Sequence, residues 1–306
     1  MLLLTVLLMT GCDPKGMEPL SVADQYGLAY APLEIMKHEG LLEKRLGGTD
    51  QVRWIKLANT AAIREAMLAD ELDIGFMAVP PFLIGADGGM SWQIFTGLSQ
   101  TPLGLTVKGH DITTLAQLQG RGKIALPQPG SVQHILLAMA AEAQLGDPRA
   151  FDSQLVAMKH PDGLQALLAG TEITAHFTAP PYLEQELAAP EVRLLLSGEE
   201  AFGGSFTFIV GVAEPEFLEN ARQRQAFLEA LEEALIFMVQ QPEATVSILA
   251  KAYDMAPEAV AEQLYSQGLH FGTEVSGVAG FMDFMSRTGY LEGTLNPEKL
   301  LWKPQP

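Results

Sequence analysis

The sequence predicts an α/β protein that contains two successive units of similar design. Short apolar segments alternate with longer amphipathic segments over residues 20–199, which is the pattern of strands joined by helices in mostly parallel sheets. Hydrophobic residues make up 48% and charged residues 18% of the 306-residue chain. This composition supports a substantial core and argues against disorder. No repeat of about 20–50 residues is visible, which disfavours a solenoid.

The N-terminus resembles the export signal of a bacterial lipoprotein. An apolar run over residues 2–9 ends in Thr10-Gly11, directly before Cys12, the single cysteine. Such a run is typical of an export signal, and the following cysteine resembles a lipobox, in which the thiol is acylated. We therefore expect a signal peptide with an acylated Cys12 over residues 1–12 and a flexible stalk over residues 13–19. The alternative is a hydrophobic N-terminus with an incidental cysteine, because no basic residue precedes Cys12.

The first unit is predicted to have four strands joined by helices. Strands are predicted at Ser21–Tyr26, Gln51–Leu57, Asp73–Ala78 and Trp92–Gln100. A helix is predicted from Pro32 to Leu46, because proline suits a first helical turn. A second helix follows a cap at Asn59 or Thr60 and runs to about Ala69.

The second unit repeats this design. Its predicted strands are Lys123–Leu126, Gln154–Met158, Thr174–Thr178 and Val192–Leu196. Its predicted helices are Val132–Ala143, Gly163–Ala169 and one that opens at Pro180-Pro181-Tyr182.

The remaining chain is predicted to return to the first sheet. The segment Phe206–Val212 is strongly β-like, and helices follow at Phe217–Gln240, Ala244–Tyr253, Pro257–Tyr265 and Val278–Thr288. We therefore predict that residues 20–104 and 200–306 form lobe 1 and that residues 105–199 form an inserted lobe 2. Two crossings between lobes make a hinge that can close around a ligand.

The turns after the strands are the candidate ligand site, because ligands of open α/β sheets bind beyond the carboxyl ends of strands. Tyr26 offers a ring for stacking, and Ser131 begins a helix whose free N–H groups suit acceptors. Each residue also has an ordinary structural alternative, such as an N-cap for Ser131. The candidates are Gln25, Tyr26, Ala78, Val79, Pro80, Gly130, Ser131, Gln133, Thr178, Pro180 and Ser205.

The basic residues and catalytic motifs that the sequence lacks limit the classes of ligand and function that we expect. These turns contain no Arg or Lys, which favours a neutral or aromatic heterocyclic ligand over a sulfonate or nitrate. The net charge of −18 argues against nucleic-acid binding. No H-E-x-x-H, C-x-x-C or G-x-S-x-G motif is present and the six histidines are scattered, so we expect neither catalysis nor a metal or other cofactor.

Ordered motifs resemble a known family. They are Ala31-Pro32 with Gly40-Leu41-Leu42-Glu43-Lys44, Leu72-Asp73-Ile74-Gly75 before Pro80, Lys123-Ile124-Ala125-Leu126-Pro127 before Gly130-Ser131, and Gly170 with Glu172-Ile173-Thr174-Ala175 before Pro180-Pro181. Together they are similar to the nitrate/sulfonate/taurine-type substrate-binding proteins of ABC importers, a group that includes binders of thiamine-pyrimidine precursors. The resemblance implies a type II periplasmic-binding fold that closes like a Venus flytrap. It also implies a permease and an ATPase as partners. Together with the predicted lipobox at Cys12, it leads us to expect a monomer that is lipid-anchored on the periplasmic side of the cell envelope.

Two other functions remain open from the sequence. Thiamine-pyrimidine synthases and some menaquinone-pathway lyases resemble the same family, although the chain lacks the synthases' cysteine-rich motif. A sensory module that reports ligand occupancy to a receptor would share the same binding chemistry.

Overall fold

Two β-sheets organise the protein. The computed structural model describes residues 19–170, 172–265 and 268–303. Cys12 and the predicted signal peptide lie outside the described residues, so the lipoprotein assignment stays a prediction. The strands are β1 Leu20–Asp24, β2 Val52–Lys56, β3 Ile74–Ala78, β4 Gln93–Gln100, β5 Gly104–Lys108, β6 Lys123–Leu126, β7 Leu155–Ala157, β8 Ile173–Thr178, β9 Val192–Ser197, β10 Ile209–Ala213 and β11 His270–Phe271.

Helices cover both sheets. They are α1 Ala31–Glu39, α2 Leu41–Leu46, α3 Thr60–Leu68, α4 Val79–Asp87, α5 Leu115–Leu118, α6 Val132–Leu145, α7 His160–Ala169, α8 Tyr182–Leu187, α9 Gly198–Phe202, α10 Pro215–Glu219, α11 Ala221–Gln240, α12 Pro242–Tyr253, α13 Pro257–Tyr265, α14 Val278–Arg287 and α15 Pro297–Leu300. None of them, within the described part of the chain, has the length and apolarity that a membrane crossing requires.

The sheet orders show a two-lobed α/β fold, as predicted. The first sheet has the order β11-β4-β10-β3-β1-β2, and the second has the order β7-β6-β8-β5-β9. Strand β10 follows the whole second sheet in sequence, yet it lies between β3 and β4 of the first. We call the first sheet with its helices lobe 1 and the second sheet with its helices lobe 2. The residue bounds predicted for the lobes stay a prediction.

Several predicted elements differ from the structure. The sheets are mixed, because β10 runs antiparallel to β3 and β4, and β5 runs antiparallel to β8 and β9. The helix predicted over residues 32–46 is two helices, because Gly40 takes a left-handed conformation with φ 61° between them. The helix predicted over residues 217–240 breaks at Asn220, whose side chain caps α11 by accepting a hydrogen bond from the Gln223 amide.

A continuous apolar core holds the strand ends in place. Phe76 of β3 and Phe227 of α11 are fully buried, with ring centroids 5.9 Å apart. Phe177 of β8 is fully buried on the lobe 2 side. Burial of each large apolar side chain contributes about 1.5–3 kcal/mol. The packed strands therefore hold the turns that follow their carboxyl ends in fixed positions.

The C-terminal segment also joins the lobes, at a place we call the C-terminal bridge (residues 287–290 with the end of α6 and the loop after it). Arg287 binds Glu142 through two hydrogen bonds of 2.6 and 2.5 Å. Arg149 donates to the carbonyls of residues 288–289 at 3.4 and 3.3 Å, and its guanidinium lies 4.5 Å from the ring centroid of Tyr290. The bridge is thus a connection between the lobes beyond the two chain crossings.

Candidate functional site

A cavity of about 490 Å³ lies between the two sheets. This size is typical of sites for small organic molecules. Both lobes contribute to its lining, as do residues of the two crossings, Thr101 and Phe208. The lining residues from lobe 1 are Gln25, Tyr26, Gly27, Ala29, Tyr30, Ala58, Asn59, Thr60, Ala78, Pro81 and Ile209. Those from lobe 2 are Pro127, Gln128, Ser131, Val132, Gln133, Lys159, His160, Pro161, Ala179, Pro180 and Tyr182.

The lobe 1 wall is set by the turn after β1. Gly27 has a φ of 117°, a conformation that favours glycine, and it turns the chain into α1. The Gln25 amide donates to the Thr60 hydroxyl and to the Phe76 carbonyl, both at 3.2 Å. These bonds occupy the two donors of Gln25 and leave its oxygen as an acceptor. Tyr26 is 71% exposed and presents its ring at the mouth of the cavity.

The lobe 2 wall is set by the starts of α6, α7 and α8. Ser131 caps α6, and its hydroxyl accepts a hydrogen bond from the backbone amide of His134 at 3.3 Å. The hydroxyl hydrogen of Ser131 therefore remains available to another acceptor. His160 is the first residue of α7, and its ring stacks on Tyr182 at 5.7 Å. The Gln133 side-chain amide lies 3.5 Å from His160 Nε2.

A line of buried polar groups lies behind His160. His160 Nδ1 is 3.3 Å from His176 Nε2 and 3.0 Å from the Thr178 hydroxyl. His176 Nδ1 is 2.5 Å from one carboxyl oxygen of Glu186, and the Thr106 hydroxyl donates to the other at 2.5 Å. The side chains of His176 and Glu186 are both fully buried. These residues come from β5, α7, β8 and α8, so the fold alone brings them together.

Burial keeps His160 uncharged. Desolvation, together with the neighbouring His176 ring, lowers the pKa of His160 to about 3. At neutral pH His160 is therefore a neutral imidazole at the cavity wall, with one donor nitrogen and one acceptor nitrogen.

The charge distribution of the cavity differs from that of the whole chain. Lys159 is the single formally charged side chain among the described residues that line the cavity, and no Asp or Glu among them lines it. Helices α3, α4, α6 and α7 all begin at this cavity. Because the N-terminal end of a helix carries a partial positive charge, the wall favours acceptor or anionic groups, although the chain carries a net charge of −18.

Six of the eleven predicted site residues line the cavity. They are Gln25, Tyr26, Ala78, Ser131, Gln133 and Pro180. Their contact with a ligand stays a prediction, but the structure places them around one space.

The other five predicted residues do not line it, each for a local reason. Val79 is fully buried at the start of α4, and within the same first turn the cavity is lined by Pro81 instead of Pro80. Gly130 faces the other lobe, because a Cβ there would lie 2.8 Å from Ile84 Cδ1. Thr178 is fully buried behind His160. Ser205 is exposed in the second crossing, where Phe208 reaches the cavity.

His160, Lys159 and Tyr182 also line the cavity, although they were not among the predicted site residues. The start of α7 was predicted at residue 163, so its first turn was not placed at a strand end. Pro161 in the first turn is a signal that could have located this start. The basic group that the predicted turns lack is thus supplied by the turn after β7.

No group of three or more His, Cys, Asp or Glu side chains in the described part of the chain is arranged to hold a metal ion.

The NMT1-like family profile matches residues 25–252, which is most of the chain. The chain belongs to the NMT1-like family. No curated protein sequence shows significant similarity to this member of the family.

Solved structures support the fold of this NMT1-like protein. The periplasmic aliphatic sulphonate-binding protein SsuA from Escherichia coli matches with a TM-score of 0.77 and 21% identity, over 95% of this chain and 94% of that chain. The alkanesulfonate-binding protein SsuA from Xanthomonas axonopodis pv. citri, bound to MOPS, matches with a TM-score of 0.74 and 20% identity, over 93% and 96% of the two chains.

A fungal structure extends this similarity. The conserved Candida albicans CA3427 gene product, which has the generic periplasmic binding protein fold, matches with a TM-score of 0.71 and 14% identity, over 90% and 92% of the chains. The family resemblance and the periplasmic-binding fold class inferred from the sequence are therefore confirmed.

Proposed function

We propose that this protein is the extracytoplasmic solute-binding component of an ABC importer. In this role it captures a small solute between its lobes and delivers it to a membrane permease whose partner is an ATPase. It binds the solute without transforming it. Acylated Cys12 anchors it to the membrane in this proposal.

The observation that carries the proposal is the cavity itself. It lies between two sheets joined by two chain crossings, and both lobes contribute polar groups to it. A solute that touches both walls favours the closed arrangement of the lobes, because it gains contacts there that one lobe alone does not offer. The SsuA proteins of similar fold, which are described as sulfonate-binding, are consistent with this role.

We further propose that the solute is a small organic anion with an apolar part. Lys159, the N-termini of four helices and the lack of a lining carboxylate among the described residues favour an anionic group. Tyr26, Tyr182 and the proline residues offer a surface for an apolar or ring-shaped part. This proposal replaces the neutral heterocycle expected from the predicted turns, because Lys159 lies on a turn outside that set.

A thermal-shift screen tests the proposed function. The panel contains alkyl- and arylsulfonates, taurine, nitrate, carboxylates, pyrimidines, riboflavin and amino acids. A solute that binds only the native state raises the Tm with its concentration. A saturable increase with a sulfonate or carboxylate supports the proposal, an increase with pyrimidines alone contradicts the anionic class, and no increase with any member contradicts the binding role.

Matched tyrosine variants test the location of the site. Tyr26 is 71% exposed at the cavity mouth, whereas Tyr265 is 52% exposed on α13, outside the cavity lining. We expect Tyr26→Ala to weaken binding of the solute found in the screen with little change in Tm, and Tyr265→Ala to leave binding unchanged. Equal binding by both variants would show that the solute does not use this cavity.

A further inference from the structure

The turn that carries Gln25 and Tyr26 to the cavity is held by Lys56, a residue of β2 that does not itself line the cavity. The Lys56 ammonium group donates to the Asp24 carboxylate at 3.0 Å and to the Gln25 carbonyl at 3.4 Å. The same nitrogen lies over the Tyr26 ring, 5.6 Å from its centroid. Lys56 therefore contacts three consecutive residues, at the end of β1 and in the turn that follows.

The other contacts of this ammonium group fix its position. Its remaining donor binds the Glu34 carboxylate of α1, so each of its three hydrogens has an acceptor. Burial alone would lower the pKa of Lys56, but Asp24 and Glu34 outweigh burial and raise this pKa above its usual value. Lys56 thus places a fixed positive charge beside the Tyr26 ring.

The Tyr26 ring depends on such a contact for its orientation. Tyr26 is 71% exposed at the cavity mouth, so packing restrains its ring only weakly. A cation over the face of an aromatic ring attracts the ring even at an exposed site. A ring that already has its binding orientation loses less conformational entropy when a solute stacks on it. Lys56 can therefore strengthen binding of a ring-shaped solute without touching it.

We propose that Lys56 is a positioning residue that holds the Tyr26 ring at the cavity mouth, where the ring stacks on the aromatic part of a bound organic anion. The inference deepens the proposed solute-binding function and rests on it. It narrows the solute class, because a positioned ring favours an aromatic anion over an alkyl anion with the same charged group.

Lys37 of α1 provides a matched control. Its ammonium group lies 3.9 Å from the same Asp24 oxygen that binds Lys56 and 3.4 Å from Glu34. It lies over the ring of Trp54, however, at 5.4 Å from the centroid. Lys37→Leu therefore removes a positive charge from the same two carboxylates and leaves the contacts between Lys56 and the turn in place.

The affinities for benzenesulfonate and ethanesulfonate test the proposal, because these anions share a charged group and differ in the ring. We expect Lys56→Leu to shift the ratio of the two dissociation constants about two- to fivefold against benzenesulfonate, which corresponds to an exposed cation–π contact. Lys37→Leu should leave the ratio unchanged, and Lys56→Arg should restore it, because arginine also stacks on aromatic rings. An unchanged ratio in Lys56→Leu, or equal shifts in both leucine variants, would overturn the proposal.

Tyr26→Ala keeps the test decisive even if Lys56→Leu does not fold. It should shift the ratio against benzenesulfonate by about twofold or more. Adding Lys56→Leu to Tyr26→Ala should shift the ratio no further, because Lys56 acts through the ring that is already absent. A wild-type ratio in Tyr26→Ala would contradict the proposal by itself.

The hold on the ring can be measured without a solute. The chain has six tyrosines, so ¹³C labelling of the tyrosine rings gives few signals, and that of Tyr26 is assigned by its absence in Tyr26→Phe. We expect the order parameter of the Tyr26 ring to be lower in Lys56→Leu than in the wild type and in Lys37→Leu. Equal order parameters in the three proteins would show that Lys56 does not hold the ring.

The two proposals fail in different ways. If the wild type binds neither sulfonate, the proposed solute class is contradicted, and the order parameters still decide whether Lys56 holds the ring. If both sulfonates bind and Lys56→Leu keeps the wild-type ratio, the solute-binding function stands and the role assigned to Lys56 is wrong.

Discussion

Gly163 provides a sensitive test of the packing behind the cavity. It lies in α7 against the fully buried His176, and a Cβ at this position would lie 2.6, 2.7 and 3.0 Å from three atoms of the imidazole ring. Ordinary carbon contacts are about 3.5–4 Å, so in Gly163→Ala the ring would have to move by about 1 Å. The 2.5 Å hydrogen bond between His176 and Glu186 opposes that movement.

The expected destabilisation by Gly163→Ala is about 2 kcal/mol. Overpacking of a rigid core site costs about 1–3 kcal/mol, and the upper end applies because the ring is held by Glu186. Replacing a helical glycine by alanine returns about 1 kcal/mol through helix propensity. Urea unfolding measures this difference as a shift of the midpoint at constant slope.

Gly85→Ala in α4 is the matched control. Its added Cβ would lie 2.9 Å from the sulfur of Met90, the flexible part of a long side chain that can move aside. We expect its free energy of unfolding to stay within about 1 kcal/mol of the wild type. Equal stability of Gly163→Ala and Gly85→Ala would show that the His176 ring is not held rigidly against α7. We also expect solute binding to weaken in Gly163→Ala alone, since the displaced His176 no longer supports His160.

Three further outcomes are expected. Lys56 pairs with the buried Asp24 at 3.0 Å, and Lys37 lies 3.9 Å from the same carboxyl oxygen, so Lys56→Met should lower the free energy of unfolding by about 1–3 kcal/mol; an unchanged midpoint in urea unfolding would contradict this. Because the pKa of His160 falls to about 3 on folding, the unfolded state binds more protons between that value and about 6.5. Stability should therefore fall with decreasing pH in that window, by up to about 1.4 kcal/mol per pH unit, and His160→Gln should reduce the slope. Cys12→Ala should move the protein from membrane to soluble fractions, and unchanged fractionation would contradict the lipid anchor.

Local signals in the sequence predicted many elements well. The strand over residues 123–126 was predicted with its observed bounds, because it is apolar and ends at a proline turn. The start of α6 was predicted because Ser131 is a strong N-cap, and the structure shows that cap. The helix over residues 257–265 was also predicted with its observed bounds.

Long-range contacts set the limit of this reasoning. Strand β5 was not predicted, although it lies between β8 and β9, because a five-residue segment gains its strand character from partners about 70–90 residues away. The same limit hid the His160 site. His160, His176 and Glu186 lie on three different elements, and no spacing in the sequence marks them as neighbours. These residues become neighbours only when the chain folds.

The C-terminal bridge gives the last part of the chain a mechanical role. Two chain crossings join lobe 2 to lobe 1, and the proposed closure would use them as its hinge. Arg287 and Arg149 connect α6 and the loop after it to residues 287–290 by non-covalent contacts. When the lobes rotate about the crossings, these contacts either move with α6 or break. Because the C-terminal bridge connects the lobes away from the crossings, it favours one angle between the lobes in the absence of a solute. In the proposed solute-binding function, we therefore expect the C-terminal bridge to limit how far the lobes open before a solute binds.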